Sequence, residues 1–217
     1  MLEMRFVRLI RHDGPDTAAL RRRRKIVDQI RLFAAHTDPL AEASNWIALT
    51  IGSHLPFWPA YVLFTTGRQA WPTALLTAAL APFFLAVPML SRQGSLLGRM
   101  AMPMLGVGNT IFTVWVLGIN SGTEVFLFPC AALAALSFRN NERWLMAALT
   151  ALPLAVWYLL QQHPPTALHR YGPTAAHRLF VLNVFSVAVI VMLFGWLQGD
   201  IYRRMEARAD RRDQHCP

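Results

Sequence analysis

The sequence predicts an all-α integral membrane bundle of six transmembrane helices with an N-terminal amphipathic interfacial helix, and three observations carry that prediction. Of the 217 residues, 54% are hydrophobic and only 15% are charged, whereas a soluble domain of this size carries about 25% charge. The apolar residues are gathered into six runs, 46–66, 71–90, 100–118, 122–138, 144–161 and 179–198, each near the ~20 residues that a helix needs to cross the hydrocarbon core. An outer-membrane barrel is excluded, because its strands of ~10 residues alternate in polarity. Finally, the charge is one-sided. Lys and Arg number nine before the first run, two in 91–99, two in 139–143 and five after 198, while the opposite flanks hold only Arg68, Arg170 and Arg178.

That asymmetry predicts an inner-membrane protein with both termini in the cytoplasm. The net charge of +9 then follows from topology, with lipid headgroups as counter-ions, and nucleic acid is not expected as a partner. Cys130 falls inside the fourth run and Cys216 in the C-terminal tail, so no disulfide is expected. The charged start lacks the apolar core of a signal peptide.

Three regions follow from this partition: a cytoplasmic segment 1–45, a membrane domain 46–198 and a tail 199–217. In the first, Leu20, Ile26, Val27, Ile30 and Phe33 recur at helical spacing opposite Arg21 to Lys25, which predicts a basic amphipathic helix in the inner-leaflet interface. The first span carries Pro56 and Pro59, so it should be the least regular. It also carries His54, an intramembrane ionisable group and so a candidate functional residue. Haem ligation needs a second axial histidine within the spans, and His163, His169 and His177 all fall in the loop 161–178. No cofactor or metal is therefore expected.

The third span holds Gly106 and Gly108, small enough for close helix approach, followed by Asn109. An amide in hydrocarbon costs free energy unless it is paired, so Asn109 should face a neighbouring helix or a ligand. A tight turn, 118–123, makes spans three and four a hairpin, with Glu124 at the mouth of the fourth. Asn183 adds a second intramembrane amide in the sixth span. His54, Asn109, Glu124 and Asn183 are the candidate ligand-binding set, expected to converge on one outward-opening cavity. The sixth span continues past Gly199 into Asp200, Tyr202, Arg203 and Arg204 without a strong helix breaker, which predicts a helix able to carry motion from the membrane to the cytoplasm.

No catalytic constellation accompanies these features. A glycine-rich phosphate loop, GxSxG, HExxH and paired intramembrane carboxylates are all missing from the sequence. No internal repeat of the kind that builds transporters is visible.

The stretch 86–143, AVPMLSRQGSLLGRMAMPMLGVGNTIFTVWVLGINSGTEVFLFPCAALAALSFRNNER, resembles the six-span membrane anchor of bacterial class III adenylate cyclases. The likeness lies in the VPML end of span two, a short glycine-containing loop, a third span ending in Gly118, the Ser121-Gly122 turn, an aromatic-rich start to span four and the acidic stop at Glu142. Related six-span modules head sensor histidine kinases and diguanylate cyclases. The resemblance implies a homodimeric receptor that senses a lipophilic or extracytoplasmic signal and passes it along the sixth helix to a cytoplasmic signalling partner. None of the cyclases' catalytic residues can be placed in this chain, so it is expected not to be an enzyme by itself. A small transporter or channel, or a membrane partner subunit, is the alternative.

Overall fold

The computed structural model describes residues 18–213, and every regular element among them is helical. The chain divides after Ala35 into two units. The first contains α1, Ala18–Ala34. On it Arg22, Arg23, Arg24 and Lys25 are exposed, and so are Ile26, Val27 and Ile30. An exposed apolar stripe beside a basic run is the pattern of a helix that lies on a membrane surface. Residues 1–17 and Cys216 lie outside the described residues.

The second unit begins at His36. Asp38, in extended backbone conformation, accepts the Leu40 N–H at 3.1 Å and caps α2, Pro39–His54, with Pro39 at a position whose missing N–H costs nothing. The helix stops where Pro56 has no N–H to give to the carbonyl four residues back. A 3-10 turn, Leu55–Phe57, follows, and Trp58 N–H turns to Leu55 O before α3, Trp58–Thr66, resumes the climb. The irregularity expected of the first span is thus a prolyl break. The second rod is broken in the same way: α4, Trp71–Leu76, gives way to α5, Ala81–Gln93, with Pro82 in the first turn of α5. At that break Thr77 Oγ1 donates to Ala74 O at 2.6 Å.

Next come α6, Ser95–Leu117, two 3-10 turns at Ile119–Ser121 and Thr123–Phe126, and α7, Leu127–Leu136. A third 3-10 turn, Asn140–Glu142, leads into α8, Arg143–Gln162, and α9 runs from Pro173 to Asp213.

Five of the rods are long and apolar enough to cross a membrane: Pro39–Thr66, Trp71–Gln93, Ser95–Leu117, Asn140–Gln162 and Pro173–Trp196. The fourth expected span is shorter, with its helical part limited to Thr123–Leu136. At 1.5 Å per residue it reaches only about 20 Å. Gly122, at φ 73°, turns the chain sharply at its start, and Phe180 Cα would lie 3.2 Å from any Cβ added there, so this corner requires glycine.

Two layers of packing hold the rods. Ile47, Phe84, Val87, Met102, Leu133 and Phe194 bring α2, α5, α6, α7 and α9 together in one. Trp58, Val62, Ala74, Val116, Leu117 and Leu179 join α3, α4, α6 and α9 in the other. Outside this core, Phe64 is 91% exposed and Trp144 78%; large apolar side chains turned outward match a hydrocarbon solvent. In such a solvent, close packing and hydrogen bonds rather than apolar burial drive helix association.

The loop 163–172 closes one end. Leu168 N–H donates to Trp115 O at 3.1 Å, and the Tyr171 hydroxyl lies 3.1 Å from Thr73 Oγ1. Burial of Tyr171 raises its phenol above the ordinary value, against the opposing effect of the Thr73 hydrogen bond.

The other end, where the basic loops lie, is held by polar groups. Arg99, only 2% exposed, forms a two-point ion pair with Glu142 and donates to Ser137 O at 3.0 Å. Its Nε stands 3.6 Å from Asp38 Oδ2, and Arg139 reaches Asp38 Oδ1 at 3.2 Å. Nearby, Ser91 Oγ donates to Asn45 Oδ1 at 2.5 Å, and His36 Nε2 lies 3.0 Å from Ser91 O. Gly98 makes this approach feasible, because a Cβ there would overlap the Ser91 side chain and sit 2.9 Å from its Cα.

Candidate ligand-binding cavity

The breaks in the first rod and the short fourth helix leave a space that the bundle does not fill. A cavity of about 730 Å³ lies between α2, the 3-10 turn after it, α3, α5, α6, the turn Thr123–Phe126, α7 and α9, within the range of small-molecule sites. Its apolar wall includes Trp58, Phe84, Met102, Phe126, Leu133 and Phe194. Aromatic packing stiffens one side: Trp58 meets Phe126 edge-on at 6.2 Å between centroids, and His54 stacks on Tyr61 at 5.8 Å.

Of the four candidate ligand-binding residues, the structure places His54 and Asn109 on this wall. His54 sits at the last turn of α2 and is exposed. Asn109 lies midway along α6, and its side-chain Oδ1 is buried with no hydrogen-bond partner among the described residues. The neighbouring-helix partner expected for this amide oxygen is thus not supplied by a described residue.

Glu124 and Asn183 do not line the cavity; Glu124 sits in the 3-10 turn Thr123–Phe126 and Asn183 on α9. Glu124 is 8% exposed, and its Oε2 likewise has no hydrogen-bond partner among the described residues. Asn183 is fully buried and donates from Nδ2 to Ser121 O at 2.8 Å and to Thr123 Oγ1 at 3.4 Å, tying α9 to the corner before α7. In this arrangement its amide clamps the fold. Thr123, the residue before Glu124, and Phe126 in the same turn do reach the wall.

Several wall residues were not evident in the sequence: Thr110, Thr113, Cys130 and Ser186. A signal for two of them was present, since Gly106, Asn109, Thr110 and Thr113 recur at the spacing of one helix face. Cys130 Sγ is met through Gly106, where an added Cβ would stand 2.6 Å from it. Small residues here keep α6 and α7 close.

Among the described residues of the wall there is no carboxylate, lysine or arginine, and no group of three or more His, Cys, Asp or Glu that could hold a metal occurs among the described residues. His169 of the loop packs on Tyr171 at 4.7 Å between centroids.

The residues proposed for signal transmission all lie on α9, which is continuous from Pro173 to Asp213. Arg203 is exposed, and a Cβ at Gly199 would meet open space. The side chains of Asp200, Tyr202 and Arg204 lie outside the described residues. At 1.5 Å per residue, α9 is about 60 Å long. Seven of its positions, from Leu182 to Phe194, line the cavity. One rigid element therefore forms part of the cavity wall and runs far beyond it.

No curated protein and no solved structure matches the chain. A family model does: residues 45–207 match MASE7, a membrane-associated sensor domain. The match spans the cavity, the hairpin at 118–123 and the first part of the α9 extension, and a membrane sensor module is the class to which the resemblance in 86–143 also points. By this match over most of its length, the chain belongs to the MASE7 family of membrane-associated sensor domains.

Proposed function

We propose that the chain is the receptor module of a cyclic-nucleotide or two-component signalling system, and that the cavity between α2, α3, α5, α6, α7 and α9 takes a lipophilic ligand. The observation that carries this reading is the double role of α9, which contributes cavity wall from Leu182 to Phe194 and continues unbroken to Asp213. A ligand that repacks Phe185, Val189 or Phe194 displaces a helix whose other end is polar and able to meet a signalling partner. A stiff helix passes on a small rotation or translation that a loop would absorb.

In this reading the module spans the inner membrane six times, with Thr123–Leu136 as the shortened fourth crossing and both termini cytoplasmic. The placement of the basic residues supports that orientation. Two copies pair, and α1 lies on the inner leaflet, where its basic run meets anionic headgroups. Catalysis belongs to the partner.

A reporter cyclase joined in phase after Asp213 tests the reading. Its output is expected to change when cells are given membrane-lipid extracts, and the change is expected to vanish in Val189→Trp, which fills the cavity. A Val189→Trp module that responds like the unsubstituted chain would remove the cavity from the mechanism.

A further inference from the structure

Both ring nitrogens of His36 are engaged, and their partners are of opposite kinds. Nδ1 accepts the Asp38 N–H at 2.9 Å, and Nε2 stands 3.0 Å from Ser91 O. A backbone amide can only donate and a carbonyl can only accept, so Nδ1 carries no proton and Nε2 carries one. The contacts therefore fix a neutral imidazole in its Nε2–H form. That ring ties the residues before α2 to the last turn of α5, across 55 positions of sequence. It is half-buried, and so within reach of solvent protons.

The elements that meet here bring several charges. They are Asp38 and Glu42 on the histidine's own side, Arg92 on α5, Arg99 on α6, and Arg139 and Glu142 in the turn before α8. Glu142 is taken up by Arg99 in their two-point pair. Asp38 is shared: Oδ1 accepts the Leu40 N–H and meets Arg139, while Oδ2 is buried, 3.6 Å from Arg99 Nε, and accepts no hydrogen bond among the described residues. The residue whose N–H the imidazole holds is thus also the cap of α2 and a counter-charge of Arg99.

We infer that His36 is a proton-operated latch on the start of α2. A proton taken up at Nδ1 turns that nitrogen from acceptor into donor, so it can no longer hold the Asp38 N–H. The bond from Nε2–H to Ser91 O survives, because that nitrogen donates in both states. The new imidazolium needs an acceptor, and the Asp38 carboxylate in the same turn offers Oδ2. Engaging it sets the ring in competition with Arg99 and Arg139. Acid therefore loosens the cap of α2 while the ring stays on α5. Ile51 of α2 and Phe84 of α5 both line the cavity, so the latch sits on two helices that shape it.

Hydrogen–deuterium exchange of the full chain in lipid nanodiscs tests the latch, at about pH 8 and about pH 5.5, on either side of the range in which histidines usually titrate. After correction for the intrinsic rate, exchange in 36–40 is expected to be about fivefold faster in acid, the size of one lost hydrogen bond. His36→Asn keeps an acceptor for the Asp38 N–H, as in an Asx turn, on an atom that takes no proton in this range. It should exchange equally at both pH values. His36→Lys carries a charge and no acceptor, and should exchange fast at both. Equal protection of the unsubstituted chain at the two pH values overturns the latch, as does full protection in His36→Lys. An acid response retained in His36→Asn also overturns it, by placing the response on another group such as Asp38. Should His36→Lys fail to fold, the unsubstituted chain and His36→Asn still decide the question.

Discussion

Arg99 on α6 and Glu142 before α8 form a two-point ion pair, Nη1 to Oε2 at 2.7 Å and Nη2 to Oε1 at 2.8 Å, across 43 positions of sequence. Glu142 Oε2 also accepts Arg139 N–H at 2.9 Å, which fixes the loop, and the Arg99 guanidinium lies 5.7 Å from the centre of the Phe138 ring. One side chain thus fastens the start of α2, the foot of α6 and the loop before α8.

Removing Glu142 leaves the buried guanidinium without its nearest counter-charge. Glu142→Gln is expected to lower stability by about 3 kcal/mol, and Arg99→Lys by a similar amount, because a point-like ammonium cannot make the two-point contact. Thermal unfolding followed by size-exclusion of the detergent-solubilised protein checks both. Arg139→Ala, at an exposed residue, should cost under about 1 kcal/mol.

Gly98→Ala is expected to cost about 1–3 kcal/mol, by forcing α5 and α6 apart at Ser91 and stretching the Ser91–Asn45 hydrogen bond. Gly94→Ala, where the nearest side-chain atom is 4.0 Å from an added Cβ, serves as the control and should change stability much less. The comparison is read as the difference in melting temperature.

Asn183→Leu deletes the donor that satisfies Ser121 O and braces Thr123. The expected loss is about 1–3 kcal/mol. Protease sensitivity should rise at the corner 118–126 before it rises elsewhere, which limited proteolysis with mass mapping would reveal.

Asn109→Leu should behave in the opposite way. Its Oδ1 already lacks a hydrogen-bond partner among the described residues, so replacing the amide by an apolar group of similar size is expected to leave the melting temperature unchanged or slightly raised. Ligand response in the reporter fusion should fall nonetheless. A large drop in stability would show that the amide is a structural clamp.

Much of this architecture was legible in one dimension because its causes are local. Continuous apolar runs, the basic residues of alternate loops, and Pro56 as a breaker act within a few residues of themselves. The cap at Asp38 and the second break, before Pro82, came only with the structure. The fourth run was less legible: its composition reads as a full span, but Gly122 and the successive 3-10 turns consume its first residues and leave Thr123–Leu136 as the apolar helix.

The sequence by itself determined that the chain is helical, apolar enough for lipid and charged on alternate loops, and it placed His54 and Asn109 at depths where a polar group needs a reason. Only the tertiary structure decided which polar groups share a space. It set His54 and Asn109 on one wall, turned Asn183 toward Ser121, and closed Arg99 on Glu142. Periodicity gives the face on which a side chain stands, but which helix it meets depends on how the rods pack, and that is a long-range property of breaks, glycines and close contacts spread over the whole bundle.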